Sequence, residues 1–308
     1  ANAFFGVDAG QDNTTGSQNS FFGAFAGSGT TTGRYNSFFG IEAGVFNTTA
    51  SYNSFYGAYA GWSNTVGENN TYVGRAAGTY GQTGSQNAFF GAFAGTNNKA
   101  TGNTFIGYSS GNNNNSGDQN TFVGNVAGWN NTVGAQNTFI GCQAGYKNTA
   151  SANTFIGSNA GYNNSTGTFN TFIGSNAGFN NSTGSANYCF GTNAGRNNTT
   201  GSGNYFLGDN SGGGNTTGGF NLYIGANAGN GNNVNGDNNM AIGYEAGRNN
   251  NAGANNMAIG FRADIIGVGL TNATALGNNA QVTISNAMVL GSEVNVGIGT
   301  TAPTSRLH

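Results

Sequence analysis

The sequence predicts an all-β protein, a β-solenoid of parallel coils about 17 residues long. Three observations carry that expectation. The segments 153–167 and 170–184 read NTFIGSNAGYNNSTG and NTFIGSNAGFNNSTG and differ only at Tyr162 and Phe179. An apolar–glycine pair returns at Gly6, Gly23, Gly40, Gly57, Gly74 and Gly91, then at steps of 16 to 18 residues as far as Gly277, with a shorter step to Gly291. The 57 glycines and the 6% charged residues are far from ordinary globular usage, yet the glycines fall on a beat. Self-similarity at a fixed period marks a stack of small units, each contacting only its neighbours.

Each part of the repeat has a physical reading. Asn stands four residues before the glycine, from Asn2 to Asn256, and Ser, Thr or Ala usually follows it. Next comes an aromatic, as at Phe21, Phe38, Phe55, Tyr72, Phe89, Phe105, Phe122, Phe139, Phe155 and Phe172, then a second apolar residue, then glycine. Such a run bounded by Gly, Asn and Ser reads as a short strand between tight turns. No helical period is present, and this glycine load costs a helix heavily. Residues gained or lost between beats belong in the turns. Stacked amides at Asn131, Asn148, Asn164, Asn181, Asn198 and Asn215 are expected to form ladders along the coil axis.

Two adjacent apolar positions decide the expected assembly. Neighbouring side chains on a strand point to opposite faces. One member of each pair, as in Phe105-Ile106 or Phe172-Ile173, fills its own coil, and the other faces outward. Repeated along the stack, the outward row exceeds the apolar patch that monomers usually leave bare. Packing of that row against sister chains in a cyclic homo-oligomer follows. A monomer with a thick core filled by both columns is the competing arrangement. The core or interface column is therefore Phe21, Phe38, Phe55, Phe105, Phe122, Phe139, Phe155 and Phe172.

From Met240 the motif changes. NNMAIGYEAG (238–247) and NNMAIGFRA (255–263) replace the aromatic by Ala, and NATALG, SNAMVLG and VGIGTTAPTSRLH follow. These segments resemble the YadA-like head β-roll of trimeric autotransporter adhesins and related trimeric phage tail fibres, closely over 238–308 and more loosely over 1–237. The resemblance implies a left-handed parallel β-roll assembled as a homotrimeric fibre. It also implies an exit segment leading toward a C-terminal region beyond the chain. The expected organisation is a roll of NTFIGxxAG repeats over 1–237, head-like repeats over 238–299 and the exit segment over 300–308. Pro303 follows the last apolar–glycine beat at Gly299 and is expected to end the roll, because proline donates to no further ladder. The chain starts one residue from a repeat boundary without Met, so processing or fragment choice upstream is expected.

Composition argues against several chemistries. With a net charge of −2 there is no basic stripe for a phosphate backbone, so no nucleic-acid partner is expected. No apolar run reaches the roughly 20 residues that span a bilayer, so no membrane insertion is expected. His308 is the single histidine and the ten acids are scattered, so neither a His-based triad, a zinc site nor a stacked carboxylate dyad is expected. No cofactor and no enzymatic activity are expected. Cys142 and Cys189 lie about three repeats apart, beyond disulfide reach, and read as inert fillers.

One column is ligand-like. Five residues past the glycine stand Trp62, Trp129, Tyr146, Tyr162 and Phe179, a candidate stack for sugar rings, or alternatively aromatics packed between protomers. Asn159, Asn176, Asn193, Asn210 and Asn227 form another regular column able to give amide hydrogen bonds. The expected function is an extracellular structural and adhesive fibre segment at a cell surface or on a virion. Its partners would be two further copies of itself and a cell-surface polysaccharide or glycan. A monomeric ligand-binding solenoid, such as an ice-binding protein, and a purely structural filament subunit are the alternatives. Against ice binding, Thr14-Thr15, Thr48-Thr49 and Thr199-Thr200 fall in turns.

Overall fold

The computed structural model describes residues 1–231 and 235–296. Gly299, Pro303, His308 and the exit segment 300–308 lie outside the described residues. No α-helix occurs among those described. The chain divides into two compact units, Ala1–Thr166 and Gly167–His308, so the motif change at 238 falls within the second.

The first unit is a parallel β-solenoid. Ten three-residue strands, from Ala3–Phe5 to Thr154–Ile156, pair in sequence order, each with the corresponding residues of the next coil. Phe38 lies opposite Phe55, Phe55 opposite Tyr72 and Phe89 opposite Phe105. The step from Phe89 to Phe105 is a residue short, yet the register holds because the shortening falls in the turn. Five residues separate the buried pair Asn98 and Asn103, against six between Asn47 and Asn53.

The middle residue of each strand points inward. From Phe21 to Phe155 these aromatics are completely buried, and consecutive rings stack 4.7–4.9 Å apart at 3–7°. That spacing is the inter-strand distance, so hydrogen-bond register sets the ring stack. Each ring also rests on a glycine six residues later. A Cβ at Gly61, where φ is +59°, would sit 2.4 Å from Cε2 of Phe55. The glycine after each strand has a separate reason. A Cβ at Gly23 would lie 2.4 Å from the carbonyl oxygen of Gly40 in the next coil.

Buried amides complete the interior. The Asn before each strand accepts a bond from the backbone N–H of its successor, as Asn53 N–H to Asn36 Oδ1 at 3.0 Å. Its Nδ2 donates to a turn carbonyl, as Asn53 to Gly67 at 2.8 Å. The expected ladder in the turns is present within each unit. Asn131 Nδ2 donates to Asn114 Oδ1 at 2.8 Å, and Asn148 Nδ2 to Asn131 Oδ1 at 3.1 Å. In the second unit Asn198 donates to Asn181 and Asn215 to Asn198. Where the sequence breaks the column, the bond is lost. Gly81 follows Asn64, and Asn64 Oδ1 is buried without a partner. These bonds satisfy turn carbonyls that burial would otherwise leave orphaned.

The second unit begins with the same parallel plan and then changes its core. Its inward column runs Phe172, Cys189, Phe206, Tyr223, Ala241, Ala258 and Ala275, in register throughout. Six residues after Ala241 the left-handed Gly247 is kept, but after Ala258 and Ala275 glycine is gone. Asp264 and Gln281 stand at its place and start new two-residue strands, Asp264–Ile265 paired with Gln281–Val282. Ile265 and Val282 fill the vacated interior, packed with Ala258, Ala263, Ala273, Ala275 and Ala280. Cys189 is thus a buried filler as expected, whereas Cys142 is exposed and fills nothing.

Candidate functional site

The outward column is the most extended feature of either unit. The last strand residue projects away from the core at Phe22, Tyr56, Val73, Phe90, Ile106 and Ile140, each 36–41% exposed. In the second unit Ile173, Ile224, Leu276 and Leu290 do the same. Of the two adjacent apolar columns only the first is enclosed, and the thick-core arrangement with both inside does not occur among the described residues. The residue on the other side of the buried aromatic also faces outward. In the first unit it is small and polar, as at Ser37, Ser54, Thr104, Thr121, Thr138 and Thr154. In the second it is Thr at Thr171 and Thr274 but apolar at Tyr188, Tyr205, Leu222, Met240, Met257 and Met288. Tyr188 and Tyr205 stack at 4.8 Å, so the outward apolar face there is two columns wide.

The candidate glycan column separates into two arrangements. Trp129, Tyr146 and Tyr162 stack on one another, at 6.4 Å and 13°, then 5.0 Å and 4°. Both faces of Tyr146 are covered by these neighbours, and Lys147 Nζ lies 5.7 Å over Tyr162. Phe179 has the Arg196 guanidinium 5.9 Å over its ring. Trp62 is different. It meets Phe46 at 87° and Tyr80 at 85°, and its Nε1 donates to Glu42 Oε2 at 2.9 Å.

The second regular column, Asn159 to Asn227, has a backbone origin. Asn159, Asn176, Asn193, Asn210 and Asn227 all have φ between 54° and 57°. Asparagine tolerates this left-handed conformation better than most residues. Asn193 Nδ2 donates to Asn210 Oδ1 at 3.2 Å within the column. The position is also left-handed at Phe25, Glu42, Tyr59, Phe93, Val126 and Gln143, where the residue type gives no such signal.

Charge gathers in one place, a polar recess of about 400 Å³ lined by Glu245, Arg248, Asn249, Arg262, Asp264, Asn279 and Gln281. Arg262 Nε donates to Glu245 Oε2 at 2.8 Å, and Arg248 lies 3.8 Å from it. Partial desolvation opposes ionisation of Glu245. Hydrogen bonds from Arg262 and Tyr244 and the two arginine charges outweigh it and hold the carboxyl below the usual range. Asp264 goes the other way. Burial raises it, although Asn249 N–H, Asn249 Nδ2 and Ile265 N–H all donate to it. Among the described residues no three His, Cys, Asp or Glu side chains gather as a metal site. No described helix is long and apolar enough to cross a membrane.

No known family model matches this sequence, and no curated protein matches it either.

Proposed function

We propose that this chain is a segment of an extracellular fibre, a spacer and adhesive shaft that assembles as a homotrimer of parallel rolls. Attachment to a host or surface is its role, in the manner of bacterial trimeric adhesins or phage tail fibres. The observation that supports this reading is the outward apolar row on each unit. Single exposed apolar residues need no partner, but a contiguous row at every coil marks an interaction surface. A sister chain carries the same row at the same spacing, so a closed cyclic assembly buries all copies equally. The C-terminal likeness to trimeric head repeats adds to it, and so does the widening of the apolar face from Tyr188 onward. Sedimentation equilibrium of the chain tests the reading. The expected species is a trimer that dissociates when Phe90 and Ile106 are both replaced by Lys. A stable monomer at micromolar concentration defeats it.

A second reading has its own support. The outward Thr104, Thr121, Thr138 and Thr154 lie in register beside Ile106, Val123, Ile140 and Ile156. A regular Thr face on strands is what an ice-binding solenoid presents, unlike Thr14-Thr15, Thr48-Thr49 and Thr199-Thr200 in the turns. Thermal hysteresis decides it; a solution that shows none removes ice binding.

A further inference from the structure

Two recesses in the unit 1–166 share the Trp62 and Glu42 side chains. One, about 210 Å³, is lined by Phe25, Ser28, Val45 and Phe46 besides the shared pair. The other, about 340 Å³, adds Tyr59, Arg75, Tyr80 and Phe93. The buried aromatic column of this unit stacks in parallel, whereas on the outside Phe93 meets Tyr108 at 85°. Here the rings of Phe46, Trp62 and Tyr80 meet at right angles and tile the recess walls. Glu42 Oε2 is engaged by the indole N–H, whereas Oε1 takes no bond from the described residues. The Arg75 guanidinium lies 4.6 Å over the Phe93 ring, which holds a fork of donors against the second wall.

The backbone sets which side chains reach the recesses. Phe25, Glu42, Tyr59, Ala76 and Phe93 occupy the left-handed position in five consecutive coils, with φ from 54° to 62°. All five line one recess or the other. A side chain in that conformation costs roughly 1–2 kcal/mol, which Asn largely escapes. The coils from Asn159 to Asn227 take Asn, so the repeat has a cheaper solution to hand. The same position is left-handed at Asp8, Ser109, Val126 and Gln143 as well, so the conformation belongs to the repeat, and what distinguishes these five coils is that their side chains line the two recesses.

We propose that the Trp62 recesses bind a neutral saccharide. The C–H face of a pyranose ring packs on the walls formed by Trp62, Tyr59 and Phe93. Its hydroxyls donate to Glu42 Oε1 and accept from Arg75. A purely apolar ligand would leave that carboxylate oxygen unpaired on desolvation, and a polyanion would meet its charge. The proposal rests on the adhesive half of the reading above and not on self-association, so the two fail separately.

The test uses the whole chain carrying Trp129→Phe, which leaves Trp62 as the single tryptophan, since the chain has two. Cellohexaose, chitohexaose, maltoheptaose, xylohexaose and mannohexaose are titrated in turn. Tryptophan fluorescence and calorimetry follow binding, and sedimentation monitors the oligomeric state. At least one sugar is expected to saturate with a Kd of about 1 mM or tighter. Trp62→Phe should weaken it about tenfold or more and Glu42→Gln at least severalfold, with circular dichroism and oligomeric state unchanged. Glu42→Gln preserves shape, so it keeps the test valid should Trp62→Phe misfold. Absence of a saturable change with every sugar overturns the proposal. Binding untouched by Glu42→Gln overturns it equally.

Discussion

Replacing Gly61 by Ala separates two reasons for the glycine that follows each buried aromatic by six residues. The new Cβ would lie 2.4, 2.5 and 2.7 Å from Cε2, Cδ2 and Cζ of Phe55. Phe55 has nowhere to retreat along the axis, because Phe38 and Tyr72 stack on its two faces at 4.8 Å. Overpacking of this kind costs about 1–3 kcal/mol. The left-handed φ of +59° adds roughly 1–2 kcal/mol for any residue with a Cβ. Phe55→Ala on its own should cost about 3–5 kcal/mol through the cavity it leaves. In the double variant the ring is gone and only the backbone term of Gly61→Ala remains. The two losses should therefore fall short of additivity by about 1–3 kcal/mol. Urea unfolding of the parent, both single variants and the double variant, followed by circular dichroism, measures the coupling. Additivity to within about 0.5 kcal/mol would show that the ring is not why glycine stands there. The chain contains its own counterpart in Ala258 with Asp264 and Ala275 with Gln281. The backbone at those two places leaves the left-handed region and pairs as a strand, whereas Gly247, six residues after Ala241, keeps it.

Two further outcomes follow from buried polar groups. Tyr72 is wholly buried, its hydroxyl has no partner, and burial pushes the phenol pKa upward. Asn87, whose amide donates to the Ala100 carbonyl and accepts from the Asn103 N–H, lies beside it and offsets part of that rise without reaching hydrogen-bond geometry. Tyr72→Phe should raise the unfolding midpoint by an increment equivalent to about 1–2 kcal/mol, and a lower midpoint in a thermal melt would contradict the unpaired hydroxyl. Burial raises the folded-state pKa of Asp264 above its unfolded value. Its contribution to stability is therefore full below the ordinary carboxylate pKa, about 3.9, and is lost as pH rises through the raised value. Asp264→Asn should stabilise the second unit at neutral pH and flatten that acid dependence; calorimetric melts across the acid range showing an unchanged slope would refute it.

Much of this architecture can be read from residue order, for reasons that are local. A 17-residue beat with a three-residue apolar core leaves room for one short strand per coil. Alternation of side chains along that strand requires Phe105 and Ile106 to part, one inward and one out. The amide ladder at Asn131 and Asn148 follows from a polar residue recurring at a buried turn. Other features depend on distances between coils. Nothing in the order of residues shows that Phe55 lies against Gly61, since six positions along a turn reveal no contact until the turn closes. The column from Asn159 to Asn227 reads as a row of amide donors, and only φ shows that backbone handedness selects it. Thr104 and its successors are visible as strand residues, but their outward direction depends on which neighbour claims the interior.

The candidate site divides the same way. Trp62, Trp129, Tyr146, Tyr162 and Phe179 occupy one place in the repeat, and the sequence alone makes them equivalent. Their surroundings do not. Trp129 and Tyr146 have aromatic successors one coil on, so they stack. Trp62 has Val45 and Thr79 as its column neighbours and turns instead toward Phe46, Tyr80 and Glu42. By itself, the order of residues determined the period, the strand at each beat, the polar ladders and the existence of two apolar rows, because each depends on chemistry repeated at a constant interval. The tertiary structure alone decided which row the coil encloses, where the core passes from the aromatic column to Ile265 and Val282, and which aromatics stay open. Those outcomes depend on what one coil places within contact distance of the next, a quantity set by closure of the chain and not by its spelling.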